Sequence, residues 1–250
     1  VLGHPVDSLT LDEAVDAVDA FVRSARPHRI AVVNAHKFWL MERYPALRRV
    51  VHGADLILPE WAVVWAAARL GRPLRGHVAG ITLVDRLIAV APARGWSFYF
   101  LGAAPDVIAA MVERLRVARP GLQVAGWHHG YYAPEDEPVV VEAVRRTGPD
   151  ILVVALGSPR QELWIAAHGP RTGARVAIGV GGSFDVLSGR KRDAPAWMRG
   201  RGLEWLYRLW LDPRRLWRRY LVTNTWFVWR VLRAWLGQRV PGGRREGSAS

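Results

Sequence analysis

Five short runs along the chain are apolar nearly throughout rather than at alternate positions: residues 29–33 (RIAVV), 55–59 (DLILP), 97–102 (SFYFLG), 150–157 (DILVVALG) and 175–182 (RVAIGVGG). A strand with one wet face alternates, whereas a strand covered on both faces does not. These runs therefore predict strands buried on both sides. Between them the apolar spacing becomes helical, as in 104–121 (APDVIAAMVERLRVARPG), which closes on a Pro-Gly stop. Strand-helix repetition implies right-handed crossovers and a mainly parallel sheet with helices on both faces, a Rossmann-like α/β fold. Ligands of such sheets lie beyond the carboxyl ends of the strands. That rule singles out Asn34, Glu60, Gly102, Gly157 to Gln161 and Gly181 to Asp185.

From about residue 194 the pattern changes. Seven of the thirteen tryptophans fall in 196–250, interleaved with arginines. The expected organisation is a core over 1–193, a helical appendage over 194–238 and a disordered tail over 239–250. Asp212-Pro213 reads as a helix start, with Asp at the cap and Pro at the first helical position. At about 100° per residue, Arg214, Arg215, Arg218 and Arg219 share one side of the following helix, and Leu216, Trp217, Tyr220 and Leu221 the other. A solvated amphipathic face explains this pattern as well as a phosphate or membrane-surface site does.

Composition narrows the chemistry. The formal net charge is +13, carried almost wholly by arginine, since Lys37 and Lys191 are the only lysines. Phosphate-bearing or anionic-lipid partners follow from it. Without cysteine, disulfides, thiolate metal sites and cysteine nucleophiles are excluded. The chain begins without a basic start and apolar core and holds no run of about 18 uncharged apolar residues. The expected location is cytoplasmic, without a spanning helix. No nucleic-acid-binding module is recognisable, and no nucleic-acid partner is expected.

Several residues suit chemistry and simpler roles alike. Glu60 precedes WAVVWAAARLG, where a carboxylate complements a helix dipole or, at a strand end, acts as a general base. Asn34 reads as a cap or a substrate ligand. Gly179, Gly181 and Gly182, with Ser183 and Asp185, suit close approach of backbone amides to a phosphate or sugar, and tight turns equally. In LGSPRQELWIA, Ser158, Gln161 and Glu162 fit helix capping. His128 and His129 point to opposite faces of an extended segment and do not share a metal ion readily. No Asp-x-Asp pair is present to hold a divalent ion against a diphosphate. Arginines and backbone amides would meet that charge instead, and neither a metal nor a cofactor is expected.

Taken together, VLGHPVDSLTLDEAV, HVAGITLVDRL, FLGAAPDV, PGLQVAGWHHGYY, GPDILVVALGSPRQELWI, AIGVGGSFDVLSGRKRDAPAWMRGRGLEWLYRL and DPRRLWRRYL resemble the WecG/TagA/CpsF glycosyltransferase family in order, spacing and wording over nearly all of residues 1–235. The resemblance implies a metal-independent, inverting enzyme. It would move N-acetylmannosamine or a related hexose from a UDP donor to a polyprenyl-diphosphate-linked sugar in cell-surface polysaccharide synthesis. It further implies peripheral attachment to the inner face of the cell membrane, and leaves self-association open. By position, Glu60 takes the place of the family's catalytic aspartate, with Asn34 and Gln161 beside it in the reaction. Gly102, Gly130, Tyr131, Gly157, Gly181, Gly182, Ser183 and Asp185 would bind the donor, and Arg208, Arg215 and Arg218 the acceptor's diphosphate. This chain departs from the pattern at Glu60, one methylene longer than aspartate, at Trp61 for glycine, at Val32 for threonine and at His77 for arginine. An inactive sugar-nucleotide-binding or membrane-associated relative is the competing expectation.

Overall fold

The computed structural model describes residues 1–199 and 201–239; the rest of the expected tail lies outside the described residues. The chain runs α1 (Leu11–Val22), β1 (His28–Val33), α2 (Ala35–Arg43), α3 (Pro45–His52), β2 (Leu56–Pro59), α4 (Trp61–Arg69), α5 (Gly80–Arg94), β3 (Ser97–Gly102) and α6 (Pro105–Ala118). It continues through β4 (Gln123–His128), α7 (Glu137–Thr147), β5 (Ile151–Ala155), α8 (Arg160–His168), β6 (Val176–Gly179), α9 (Ser183–Leu187), α10 (Ala196–Arg199), α11 (Glu204–Leu211) and α12 (Pro213–Arg239).

The six strands form one sheet in the order β2-β1-β6-β5-β3-β4, and every pairing is parallel. Both faces are covered, as the unbroken apolar runs require. Ile30, Val32, Phe98, Phe100, Ile151, Val153 and Ile178 pack with α1, α5 and α6, through Val18, Leu87, Ile108 and Met111. The intervening positions point the other way: Ala31, Val33 and Ile57 meet Phe38, Met41 and Leu47 of α2 and α3, while Leu101, Leu152 and Val154 meet Val144 of α7 and Trp164 of α8. Period-two alternation between two buried layers is what makes each run read as continuously apolar.

Strand ends differ from the sequence expectation at two places. The runs 150–157 and 175–182 leave the sheet at Ala155 and Gly179, because Gly157 (φ +78°) and Gly181 (φ +57°) turn the backbone into the left-handed region. Those early exits build the loops of the site. The sixth strand, β4, was not among the five apolar runs. It is an edge strand whose residues are partly exposed (QVAGWH), so no such run marks it. Its Gly126 lies against the Tyr99 ring, where a Cβ would sit 2.6 Å from a ring carbon.

Helix α12 does not stand apart from the core. Phe227 and Val231 are buried in the layer formed by α2 and α3, with the Phe227 ring edge-on to Phe38 at 5.4 Å. Arg230 donates to Glu42 Oε1 of α2 at 3.1 Å. The opposite side leaves Trp217, Leu221, Trp229, Leu232 and Leu236 about half exposed. Among the described residues no helix is long and apolar enough to cross a membrane.

Candidate functional site

Strands β1 and β2 are paired with Val33 opposite Pro59, so the residues that follow, Asn34 and Glu60, leave the sheet side by side. Each begins a helix. Asn34 caps α2, its Oδ1 accepting from the Lys37 amide at 3.0 Å. Its other side-chain atom, Nδ2, donates to Glu60 Oε2 at 3.1 Å. Glu60 stands at the N-cap of α4, yet its side chain makes no capping hydrogen bond. The dipole of α4 favours the charge there, while the carboxylate turns toward Asn34 and the space beyond it.

That space is a cleft of about 500 Å³, within the range of small-molecule sites. Its floor comes from the carboxyl ends of four strands: Asn34 after β1, Glu60 after β2, Gly157 and Ser158 after β5, and Val180 to Gly182 after β6. Its outer wall is the C-terminal helices, through Trp205, Arg208, Arg219, Tyr220, Asn224 and Phe227. Trp61, Trp65 and His77 complete the rim. The Trp61 ring lies on the backbone of Gly202, where a Cβ would overlap it; Gly202 also has φ +70°.

Beneath the floor is a buried polar cluster. Glu162, in the first turn of α8, is 5% exposed, and its Oε1 accepts from Lys37 Nζ at 2.7 Å, Gln161 Nε2 at 2.8 Å and Ser158 Oγ at 2.9 Å. Burial pushes its pKa up. The Lys37 ammonium and the hydrogen bonds from Lys37, Gln161 and Ser158 outweigh that and hold the carboxyl below its ordinary range. Gln161 in turn accepts from the Gly181 amide at 2.9 Å through Oε1. It lies so close to β6 that a Cβ on Gly179 would be 2.7 Å from its Nε2. His36, on the cleft wall, is held neutral: burial, then the charges of Arg219 and Lys37, lower its pKa from 6.5 to about 4.

Among the residues expected from sequence, Asn34, Glu60, Gln161, Gly157, Gly181, Gly182 and Arg208 share this cleft, as do Val32, Trp61 and His77. The other expected donor- and acceptor-binding residues, as far as they are described, are not among those that line it. Gly102 and Gly130 pack backbone to backbone at the ends of β3 and β4, the Gly130 amide donating to the Ala103 carbonyl at 2.8 Å, and Arg160 donates to the Gly130 carbonyl at 3.1 Å. Tyr131 next to them is 76% exposed. Ser183 is buried with its hydroxyl donating to the Val180 carbonyl at 2.8 Å, and Asp185 is half-buried in the first turn of α9. Arg218 is exposed, its guanidinium 5.5 Å over the Trp217 ring; the Arg215 side chain lies outside the described residues.

Sequence reasoning did not single out Lys37, Arg219 or Tyr220 as site residues, and read Glu162 as a cap. The helical wheel put Arg219 with the other arginines. In α12 it stacks instead over Tyr220 at 5.0 Å and faces the cleft. Glu162 makes no capping bond because the N-cap residue, Pro159, has no backbone N–H to donate, and the Glu162 carboxylate meets Lys37 instead. One compositional signal did point there: Lys37 is one of two lysines in a chain whose cations are otherwise arginine. Among the described residues no group of three His, Asp or Glu side chains is arranged to hold a metal ion.

Comparison with known proteins agrees in extent with this architecture. Residues 1–241 match the model of the glycosyl transferase WecG/TagA/CpsF family. An N-acetylglucosaminyldiphosphoundecaprenol N-acetyl-beta-D-mannosaminyltransferase of Bacillus spizizenii is 39% identical over 178 residues, 71% of this chain and 68% of that protein. A Staphylococcus aureus protein of the same description is 30% identical over 237 residues, 94% of this chain and 92% of its own length.

Proposed function

Since the chain belongs to the WecG/TagA/CpsF family of glycosyltransferases, we propose that it transfers a hexose, N-acetylmannosamine or a close relative, from a UDP donor to a polyprenyl-diphosphate-linked sugar, with inversion and without a metal ion. The observation that carries this reading is the Glu60–Asn34 pair, joined at 3.1 Å on the floor of a cleft whose opposite wall presents Arg208 and Arg219. A neutral amide donating to one carboxylate oxygen fixes the direction of the group, as a general base needs. Glu60 takes the proton of the acceptor hydroxyl while that oxygen bonds to the donor's anomeric carbon. The bond from that carbon to the diphosphate oxygen breaks, and UDP leaves carrying the electron pair. Arg208 and Arg219 stabilise the negative charge that grows on the departing diphosphate, which lowers the barrier rather than merely tightening binding. Gly157, Gly181 and Gly182 bring backbone close to the donor, with Gly102, Gly130, Tyr131, Ser183 and Asp185 alongside.

The lipid acceptor explains the character of the C-terminal helices. Trp210 is 74% exposed, and Trp217, Trp229, Leu221 and Leu236 are at least half exposed, among Arg214, Arg218 and Arg233. Aromatic side chains suit the lipid-water interface and guanidinium groups suit phosphates. We read this surface as a peripheral contact with the inner face of the cell membrane, in cell-surface polysaccharide synthesis. Helix α12 thus joins the membrane face to the cleft wall through Arg219 and Tyr220.

The test is transfer itself. Purified protein is offered a panel of UDP-sugars and a synthetic lipid-diphosphate-N-acetylglucosamine acceptor in EDTA, and products are weighed by mass spectrometry. One added hexosyl or N-acetylhexosaminyl unit is expected. UDP binding without transfer from any donor would make the protein a sugar-nucleotide binder, and activity only with added divalent metal would overturn the metal-free reading.

A further inference from the structure

Two halves of the cleft have to be held in register for the reaction proposed above. One half is Glu60 with Asn34, carried on α2 and α4. The other is Gln161 with the Gly181 turn, carried on α8 and the end of β6. The halves come from neighbouring strands, since β1 lies between β2 and β6, and β5 follows β6. Beside the pairing of β1 with β6, a route of short polar contacts made by side chains runs between them. Glu60 accepts from Asn34 at 3.1 Å; Asn34 accepts from the Lys37 amide at 3.0 Å; Lys37 Nζ meets Glu162 Oε1 at 2.7 Å. Glu162 accepts from Gln161 at 2.8 Å, and Gln161 accepts from the Gly181 amide at 2.9 Å.

We propose that the buried Lys37–Glu162 ion pair is the positioning element of this site, fixing the base, Glu60, relative to Gln161 and the glycine turn. It rests on the reading of the cleft as a transferase site. Three features argue for positioning over simple packing. Both charges are about 95% buried, and ion pairs so placed are weak stabilisers compared with apolar residues of the same volume. Glu162 gathers Lys37, Gln161 and Ser158 on a single oxygen, Oε1, and as an anion it accepts only. That fixes which end of the Gln161 amide faces it: Nε2 toward Glu162, hence Oε1 toward Gly181. Finally, the cation is lysine in a chain that otherwise uses arginine almost everywhere. A compact ammonium on a flexible stem fits a one-point contact at 2.7 Å, whereas a planar guanidinium fork needs two acceptors side by side.

The pair acts through Asn34 and Gln161 and does not touch the reacting atoms, so its removal has a particular signature. In Lys37→Met combined with Glu162→Leu, no charge is left buried alone, but Gln161 Nε2 and Ser158 Oγ lose their acceptor, so the melting temperature is expected to fall while the protein stays folded. UDP affinity by calorimetry should change less than about threefold. Turnover should fall about 100-fold, the loss associated with displacing a catalytic group by about 1 Å, with donor KM little changed. Hydrogen exchange at residues 179–183 should quicken. Glu162→Gln alone, which permits the Gln161 amide to turn over, should show the same kcat loss with intact UDP binding, and Lys37→Arg should not rescue it. Turnover of the double variant within threefold of wild type overturns the proposal. Should the wild-type protein transfer no sugar at all, the transferase reading falls by itself, and the exchange at 179–183 then decides: unchanged protection in the double variant overturns the positioning role, faster exchange supports it.

Discussion

Replacing Glu60 by glutamine separates charge from shape. The side chain makes no capping hydrogen bond to α4, and Asn34 Nδ2, now 3.1 Å from a carboxylate oxygen, finds a carbonyl oxygen of the glutamine in the same place. Loss of favourable charge at a helix N-terminus costs about 0.3–1 kcal/mol, so the melting temperature should barely move. Donor binding should hold or tighten, because a negative charge is removed from a cleft meant to receive a diphosphate. Basicity is what disappears. General-base catalysis contributes about 10²- to 10⁴-fold, and at about 1.4 kcal/mol per decade the barrier rises by roughly 3–5 kcal/mol. The assay pairs initial transfer rates with UDP calorimetry and thermal melting on the same preparation. Glu60→Asp is the companion variant. It keeps the charge but draws it back by about 1.5 Å, the length of one carbon-carbon bond, away from Asn34, and a fall of up to about 100-fold is expected. A glutamine variant retaining more than about a tenth of the wild-type rate would remove Glu60 from the mechanism.

Other outcomes follow from the same geometry. Gly102→Ala should lower stability by at least about 2 kcal/mol, since Gly102 has φ +136° and a Cβ would collide with the Ala155 carbonyl; a thermal melt unchanged within about 2 °C would contradict this. Arg214→Ala with Arg218→Ala should weaken binding to anionic vesicles by about 2 kcal/mol, or roughly 30-fold, at about 1 kcal/mol per basic residue at a membrane surface, with no effect on neutral vesicles; equal binding by both proteins would exclude the membrane role. His36 is favoured in its neutral form by the fold, so the unfolded chain takes up a proton first as pH falls below 6.5, and stability contributed by the neutral ring is lost progressively down to about pH 4. The full effect is about 3 kcal/mol, reduced to about 2 kcal/mol by solvent screening at the partly open cleft. Unfolding of the wild type and His36→Gln between pH 7.5 and 4.5 should show a steeper decline for the wild type, and parallel curves would refute the assignment.

Local pattern decided a great deal here. Unbroken apolar runs followed by helical spacing dictated a doubly covered parallel sheet, because an all-buried strand has no polar side to display. The strand-end rule then placed Asn34, Glu60, Gln161 and Gly181 where the cleft proved to be. Glycine at 157 and 181 cut two strands shorter than their apolar runs, a backbone effect that hydropathy does not register. The edge strand β4 escaped notice for the opposite reason, its partial exposure leaving no continuous run. What only the tertiary structure decided is which of these residues meet. The pairing of Val33 with Pro59 brings Asn34 to Glu60 across 26 residues of chain, and the contact of Lys37 with Glu162 spans a far longer interval. Local spacing is blind to such contacts, since sheet order and register are set by burial summed over every layer at once. Arg219 makes the same point on one helix: its wheel position matched Arg218, and only the docking of α12 on α2 turned it toward the cleft.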